Sequence, residues 1–320
     1  MGADMNSVRF TSEMGDKAMQ TKLMPMHDAI DRFVSDGDTI VIEGFTHLIC
    51  FAAAHEIIRQ QRRELTLCRL TPDLIYDQLI GAGCVRKLIF SWAGNPGAGP
   101  LYALRRAVEE ARPRPIELEE YSHYGMVARF TAGAAKLPFY PLRNYMCSDL
   151  PKVNPNIKTV VCPFTGEELA AVPPLNPDTA IIHAQRADAQ GNAHIWGLLG
   201  VQKEAAFASQ HVIVVAEEIV DETVIRSDPN RTLVPGVIVD AVVHEPFGCH
   251  PSYAQGYYDR DNDFYVSWRD VSKAESAFNT YLEDWILGVQ TRADYVARLG
   301  EKIQNLRARP QMSEPVNYGY

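Results

Sequence analysis

The stretch TIVIEGFTHLICFAAAHEIIRQQR, residues 39–62, decides how the rest of the chain is read. It opens with Thr39, Ile40, Val41 and Ile42, a β-branched run bounded by Gly37 and Gly44, which is the pattern of a short buried strand. Residues 52–62 then place Ala53 and Ile57 on one side and Gln60 and Gln61 on the next turn, as in an amphipathic helix with a polar outer face. Between them, Glu43, Gly44, Phe45, Thr46 and His47 form a strand-to-helix turn. In open α/β sheets, ligands bind beyond the carboxyl ends of strands, where such turns gather. The turn is therefore a candidate ligand contact, although one glycine without the G-x-G-x-x-G spacing is no nucleotide signature.

The same alternation extends in both directions. Residues 26–35 have helical spacing stopped by Gly37, residues 65–68 read as a strand, and residues 74–80 read as a helix ended by Gly81. Residues 87–92 are a further strand, and strand and helix continue through residues 101–111, 116–118 and 122–136. Units of this length predict βαβ crossovers and a mainly parallel open sheet with helices on both faces. Residues 137–177 are rich in proline and are expected to hold short strands such as 159–161; they are the candidate seam within the folded unit. Residues 179–184 and 194–196 read as two strands joined by a turn-type cluster, 203–209 as a helix, and 211–216 and 237–243 as buried strands. From 273 to 306 the pattern is helical and charged, with a break at Gly288. The expected organisation is a loose tail over 1–24, one folded unit over 25–306, and a second tail over 307–320.

The 320 residues include 46% hydrophobic and 22% charged side chains, enough to bury a full core. A net charge of -9 argues against nucleic acid or an anionic membrane as a general partner. No apolar run approaches the ~20 residues of a membrane span, and residues 1–20 lack the apolar stretch of a signal peptide. Six cysteines without a C-x-x-C pair read as free thiols of a reducing compartment, so a cytoplasmic location is expected.

Four further features bear on chemistry. The turn Gly94, Asn95, Pro96, Gly97, Ala98, Gly99 lies between a strand and a helix, where glycines let the backbone approach an anionic ligand. Paired carboxylates at Glu119 and Glu120, and at Glu217 and Glu218, follow strands, and Glu43 ends another. A desolvated carboxylate at a strand end can serve as nucleophile or base, though such residues also cap helices. The nine histidines form no H-E-x-x-H motif and no Cys/His ligand set, so no metal site is expected. No G-x-S-x-G elbow points to a serine hydrolase.

Several long segments together resemble the α (A) subunits of family I CoA-transferases, that of glutaconate CoA-transferase above all. They include SDGDTIVIEGFTH, IELEEYSH, AIIHAQRADAQGNAHIWG and VPGVIVDAVVHEPFGCHPS, and the likeness spans roughly residues 26–302. The resemblance implies a three-layer α/β/α fold and an enzyme moving CoA between an acyl-CoA and a carboxylic acid. It implies no permanently bound cofactor, with the CoA thioester as substrate. It also implies a β-type partner in an α2β2 or larger assembly, and that partner supplies the glutamate nucleophile. On this reading Gly44, Phe45, Thr46 and His47 contact the acyl or oxyanion region, and Gly94, Asn95, Gly97 and Gly99 approach the CoA. The same superfamily includes ring-cleaving acyl-CoA hydrolases and decarboxylases, for which Glu119 or Glu120 is the candidate base; a non-catalytic scaffold is the third alternative. Two departures stand out. Glu43 replaces a glycine of the frequent GGFT sequence, and Leu48, Ile49, Cys50 and Phe51 occupy the place of an Arg-Lys pair. The second departure predicts an apolar acyl pocket there.

Overall fold

The computed structural model describes residues 21–308, so most of both expected tails lies outside the described residues. Strands β1 (Thr39–Glu43), β2 (Leu65–Cys68), β3 (Val85–Phe90) and β4 (Glu117–Glu120) alternate with helices α1 (Met26–Phe33), α2 (Phe51–Arg59), α3 (Leu74–Gly81), α4 (Tyr102–Glu109) and α5 (His123–Ala134). The proline-rich interval holds α6 (Leu150–Val153) and an antiparallel sheet of β5 (Tyr140–Leu142), β6 (Lys158–Val161) and β7 (Glu168–Val172), in the order β5-β7-β6. Then follow β8 (Thr179–Ala187), β9 (Ala193–His194), α7 (Gln202–Ala208), β10 (His211–Ile219), α8 (Glu222–Ser227), β11 (Thr232–Val234) and β12 (Ala241–His244). Helices α9 (Asn262–Lys273), α10 (Glu275–Tyr281), α11 (Arg292–Leu299) and α12 (Glu301–Asn305) close the described chain, with a π-helical turn at Leu282–Leu287.

The parallel strands of the main sheet run β12-β10-β8-β1-β2-β3-β4, with β9 and β11 added antiparallel at one end of β8. The chain starts at β1 in the middle, winds outward to β4, returns, and winds outward again from β8 to β12. The order therefore reverses between β1 and β8. That is the topological switch point, where connections leave in opposite directions and open a crevice at the carboxyl ends of the strands. The expected three-layer α/β/α sheet is borne out.

Strand side chains alternate between two cores because successive residues point to opposite faces. Ile40, Ile42, Leu65, Leu67, Ile181, Ile213 and Val215 enter a core with α1 to α4, α9 and α10. Val41, Cys68, Ala180, Ile182, Val212 and Val214 enter a second core with α5, α7 and the small sheet. Strands buried on both faces explain why these runs look continuously apolar rather than alternating.

Three boundaries differ from expectation for local reasons. Glu43 is the last residue of β1, paired with Ile182, and not part of the turn. The expected strand over 237–243 begins only at Ala241, because Gly236–Ile238 forms a 3-10 turn and Asp240 exchanges hydrogen bonds with Val212 at its entry. The strand expected over 194–196 ends at His194, since the Gln185 side chain takes both the N–H and C=O of Trp196.

Candidate active site at the strand switch point

Gly44 follows β1 because nothing larger fits: a Cβ there would lie 2.5 Å from the His47 carbonyl oxygen and 2.6 Å from that of Leu48. The loop doubles back so tightly that Thr46 (φ 57°) and Leu48 (φ 55°) adopt the left-handed region, at roughly 1–2 kcal/mol each. What holds it is a segment 200 residues away. Ser252 Oγ donates to the Thr46 carbonyl at 2.8 Å, Leu48 N–H donates to Tyr253 O at 2.9 Å, and Gln255 N–H donates to His47 Nε2 at 3.0 Å. Since Nε2 accepts, Nδ1 carries the proton and points at Leu198 O, 3.3 Å away. Burial pushes the His47 pKa down to about 4, opposed by that carbonyl and helped by nearby His183.

The bracing segment is itself anchored. Arg292 donates to the carbonyls of Phe247 and His250. Glu217, on β10, accepts from Phe247 N–H, Tyr258 O–H and His183 Nε2. His183, Glu217 and Cys249 bring potential ligand atoms within 4.8 Å of one another, but the carboxylate is already used by three donors as a brace.

A crevice of about 320 Å³ opens beside this loop on the second face of the sheet, lined by Phe45, Leu70, His123, Val127, Gly200 and Val201 among others. Phe45 meets His123 edge-on at 6.3 Å. Ser91 Oγ donates to Leu70 O at 2.6 Å, so the 2.8 Å contact with His123 Nδ1 must be donated by the imidazole. That polarity leaves no base to activate the Ser91 hydroxyl.

Beneath the crevice sits Glu43, only 1% exposed. Burial pushes its pKa up, against the Arg69 guanidinium and the N–H groups of Val201 and Gly44. Arg69 donates to Asp73 at 3.1 Å and to the Gly44 carbonyl, while its buried Nε–H has no partner.

The candidate residues thus fall into three groups. Gly44, Phe45 and Thr46 sit at the crevice or shape its loop, whereas His47 is wholly buried as a neutral strut between loops. The turn from Gly94 to Gly99 lies at the same sheet edge but packs on the first face, with Asn95 Nδ2 donating to Tyr265 O of α9 at 2.7 Å and Arg260 donating to Pro96 O. Gly97 and Gly99 have positive φ and open space around them. Glu119 is tied to Lys87 at 2.7 Å, Arg129 at 3.0 Å and Tyr121; burial alone raises its pKa, and these partners outweigh it to give a net lowering. Glu120 points out into solvent from the edge strand.

The expected apolar pocket at Leu48, Ile49, Cys50 and Phe51 is not there. All four are wholly buried in the two cores. Their lack of charge reflects packing and says nothing about the acyl group. Sequence reasoning also missed Ser91, His123, Gly200 and Val201, which come from three connections far apart in the chain; the only advance signal was their position just after predicted strands or before a predicted helix.

The coenzyme A transferase family profile matches residues 23–245, the whole of the main sheet. The chain belongs to the coenzyme A transferase family. It is 52% identical over 280 residues to the A subunit of 3-oxoadipate CoA-transferase from Pseudomonas knackmussii, covering 88% of this chain and 99% of that one. It is 34% identical over 308 residues to the A subunit of glutaconate CoA-transferase from Acidaminococcus fermentans, covering 91% and 96%. The crystal structure of glutaconate coenzyme A-transferase from that organism superposes with a TM-score of 0.85 at 33% identity, over 91% of this chain and 96% of that one. A cholesterol ring-cleaving hydrolase subunit of Mycobacterium tuberculosis is similar at 28% identity over 87% of the chain. The expectation of a CoA-transferase subunit of the glutaconate type is borne out, ahead of the hydrolase, decarboxylase and scaffold alternatives. Among the described residues no helix is long and apolar enough to cross a membrane.

Proposed function

We propose that this CoA-transferase chain is the A-type half of a cytoplasmic heteromeric enzyme that acts on 3-oxoadipate or a closely related 3-oxo dicarboxylic acid. One observation carries the substrate: 52% identity across 99% of the length of the A subunit of a 3-oxoadipate CoA-transferase. The six thiols are free, as a reducing compartment requires.

A glutamate of the β-type partner attacks the thioester carbonyl of the donor acyl-CoA. This forms an acyl-glutamyl anhydride and expels CoA thiolate, which then attacks the glutamyl carbonyl and releases the donor acid. The acceptor carboxylate reverses these steps and leaves as the new acyl-CoA. This chain contributes a wall: Phe45, Leu70 and Val127 exclude water from the acyl group, and the bare backbone at Gly97 and Gly99 gives the CoA nucleotide a surface to approach. Two features fit a half-site. The Ser91 hydroxyl has no base, and Glu119, the buried carboxylate of the β4 end, is held by two cations.

The test is an assay of 3-oxoadipate with an acyl-CoA donor, using the isolated chain and the chain co-purified with a β-type partner. The complex is expected to form 3-oxoadipyl-CoA and to show a CoA adduct on a β-chain glutamate by mass spectrometry; the isolated chain is expected to show no turnover. Turnover by the isolated chain, or release of free CoA without any adduct, would overturn the division of labour.

A further inference from the structure

The crevice beside the Gly44 loop has apolar walls, among them Phe45, Leu70, Val127 and Val201, and two ionisable side chains, His123 and Glu204. Of the residues lining it, only His123 can carry a positive charge. The ring is exposed, so the chain does not cover it. Its backbone is fixed from the preceding residue: Ser122, the N-cap of α5, donates its N–H to Tyr145 Oη at 3.0 Å, and its Oγ accepts from Gly125 N–H at 3.0 Å and from Asn144 Nδ2 at 2.6 Å.

The hydrogen bond to Ser91 settles what the other ring nitrogen can do. Ser91 Oγ gives its own proton to Leu70 O, so it can only accept from His123, and the proton of the neutral ring sits on Nδ1. Nε2 is then an acceptor in the neutral ring and a donor, with a full charge behind it, in the imidazolium. The two states answer different ligands. A carboxylate meets lone pair against lone pair in the first and forms a charge-assisted hydrogen bond in the second.

We propose that His123, as the imidazolium, holds the distal carboxylate of a dicarboxylic acyl chain in the crevice and so selects diacids over monoacids of the same length. The proposal rests on reading the crevice as the acyl site of a CoA-transferase. A diacid presents one carboxylate to the chemistry, and its second must lie in a largely apolar space, where an unpaired charge is costly. Glu204 of α7 adds a negative charge to the same walls, so the hold on that carboxylate depends on the imidazolium. The groups facing His123 are the Ser91 hydroxyl from beyond β3, the Phe45 ring from the loop after β1, and Glu204 from α7, the one titratable group among them.

The experiment uses the chain co-purified with its β-type partner and two matched pairs of acceptors, 3-oxoadipate with 3-oxohexanoate and glutarate with pentanoate. Because transfer passes through an enzyme–CoA thioester, kcat/KM for the acceptor does not depend on the donor, and one acyl-CoA serves throughout. His123→Ala and His123→Gln are each expected to lower the diacid-to-monoacid ratio of kcat/KM about tenfold to a hundredfold. In the unmodified enzyme that ratio should fall as pH rises from about 6 to 8.5, as the imidazolium loses its proton, and in His123→Gln it should be flat. A packing role for the ring would not give the ratio this pH dependence. An unchanged ratio in both variants, with the fold intact by circular dichroism, would overturn the proposal, as would a pH-independent ratio in the unmodified enzyme. If 3-oxoadipate is not used but glutarate shows the His123-dependent preference, the substrate assignment fails and the role of His123 stands.

Discussion

His47 shows how one neutral ring can carry a loop. Its Nδ1–H faces Leu198 O while its Nε2 accepts from Gln255 N–H, so protonation of Nε2 would turn an acceptor into a donor pointed at a donor. Burial, the main cause, depresses its pKa from the ordinary 6.5 to about 4. The folded state therefore binds fewer protons than the unfolded state between those values. Stability from this group is full above about pH 6.5 and is lost as pH falls toward 4. A urea-denaturation series over this range is expected to show the loss, and His47→Gln is expected to flatten that limb. An unchanged pH profile in the variant would show that other groups set it. At this scale the sequence was only partly legible. Gly44 announced a tight turn, but the role of His47 depends on Gln255, 208 positions away, which no local pattern reveals.

At the scale of elements, β4 separates two neighbouring glutamates by the alternation of a strand. Glu119 turns inward to Lys87, Arg129 and Tyr121, and Glu120 turns outward. Removing the charge at Glu119 leaves the buried Arg129 without its carboxylate and Lys87 with only the exposed Glu117. Glu119→Gln is therefore expected to cost about 2–4 kcal/mol in stability, read as a lower denaturation midpoint. Glu120→Gln is expected to change stability by less than about 0.5 kcal/mol and kcat/KM of the complex by no more than about tenfold. A loss of roughly 10²–10⁴-fold at unchanged stability would mark Glu120 as a general base and return the hydrolase chemistry to consideration. The pairing of acidic residues was visible in the sequence, and so was their place near a strand end. Which of the two faces the interior was not, because the register of β4 on β3 decides it. The proline-rich interval is a similar case. Short strands were legible there, but their closure into a sheet of order β5-β7-β6 brings Tyr140 beside Val172, a pairing set by tertiary contacts.

Across the whole molecule, the family match ends at residue 245, just past β12, yet the fold does not end there. The later segment does two jobs. Its residues 247–255 brace the Gly44 to Leu48 loop from outside the sheet. Its helices also complete the first core: Trp268 is wholly buried with Nε1–H donating to Asp77 at 2.9 Å, and Phe278 packs so closely on α3 that a Cβ at Gly81 would lie 2.2 Å from its ring. Tyr281 adds a third buried ring and accepts from Gln78. Each such aromatic is worth roughly 1.5–3 kcal/mol in burial, and together with Phe264 and Ile286 their loss approaches the whole ~5–15 kcal/mol stability of a domain. A chain ending at residue 245 keeps every strand of the sheet but exposes the faces of α2, α3 and α4. It is expected to lack a cooperative thermal transition, to bind a hydrophobic dye, and to be cleaved by protease within the α2 to α4 region. The full chain is expected to melt in a single transition. A cooperative melt of the truncated chain, with the near-ultraviolet spectrum of folded tyrosines and tryptophans, would show that the sheet and its first helices stand without the C-terminal layer. In that case the brace on the Gly44 loop, and not the core, would be what the last sixty or so described residues are for.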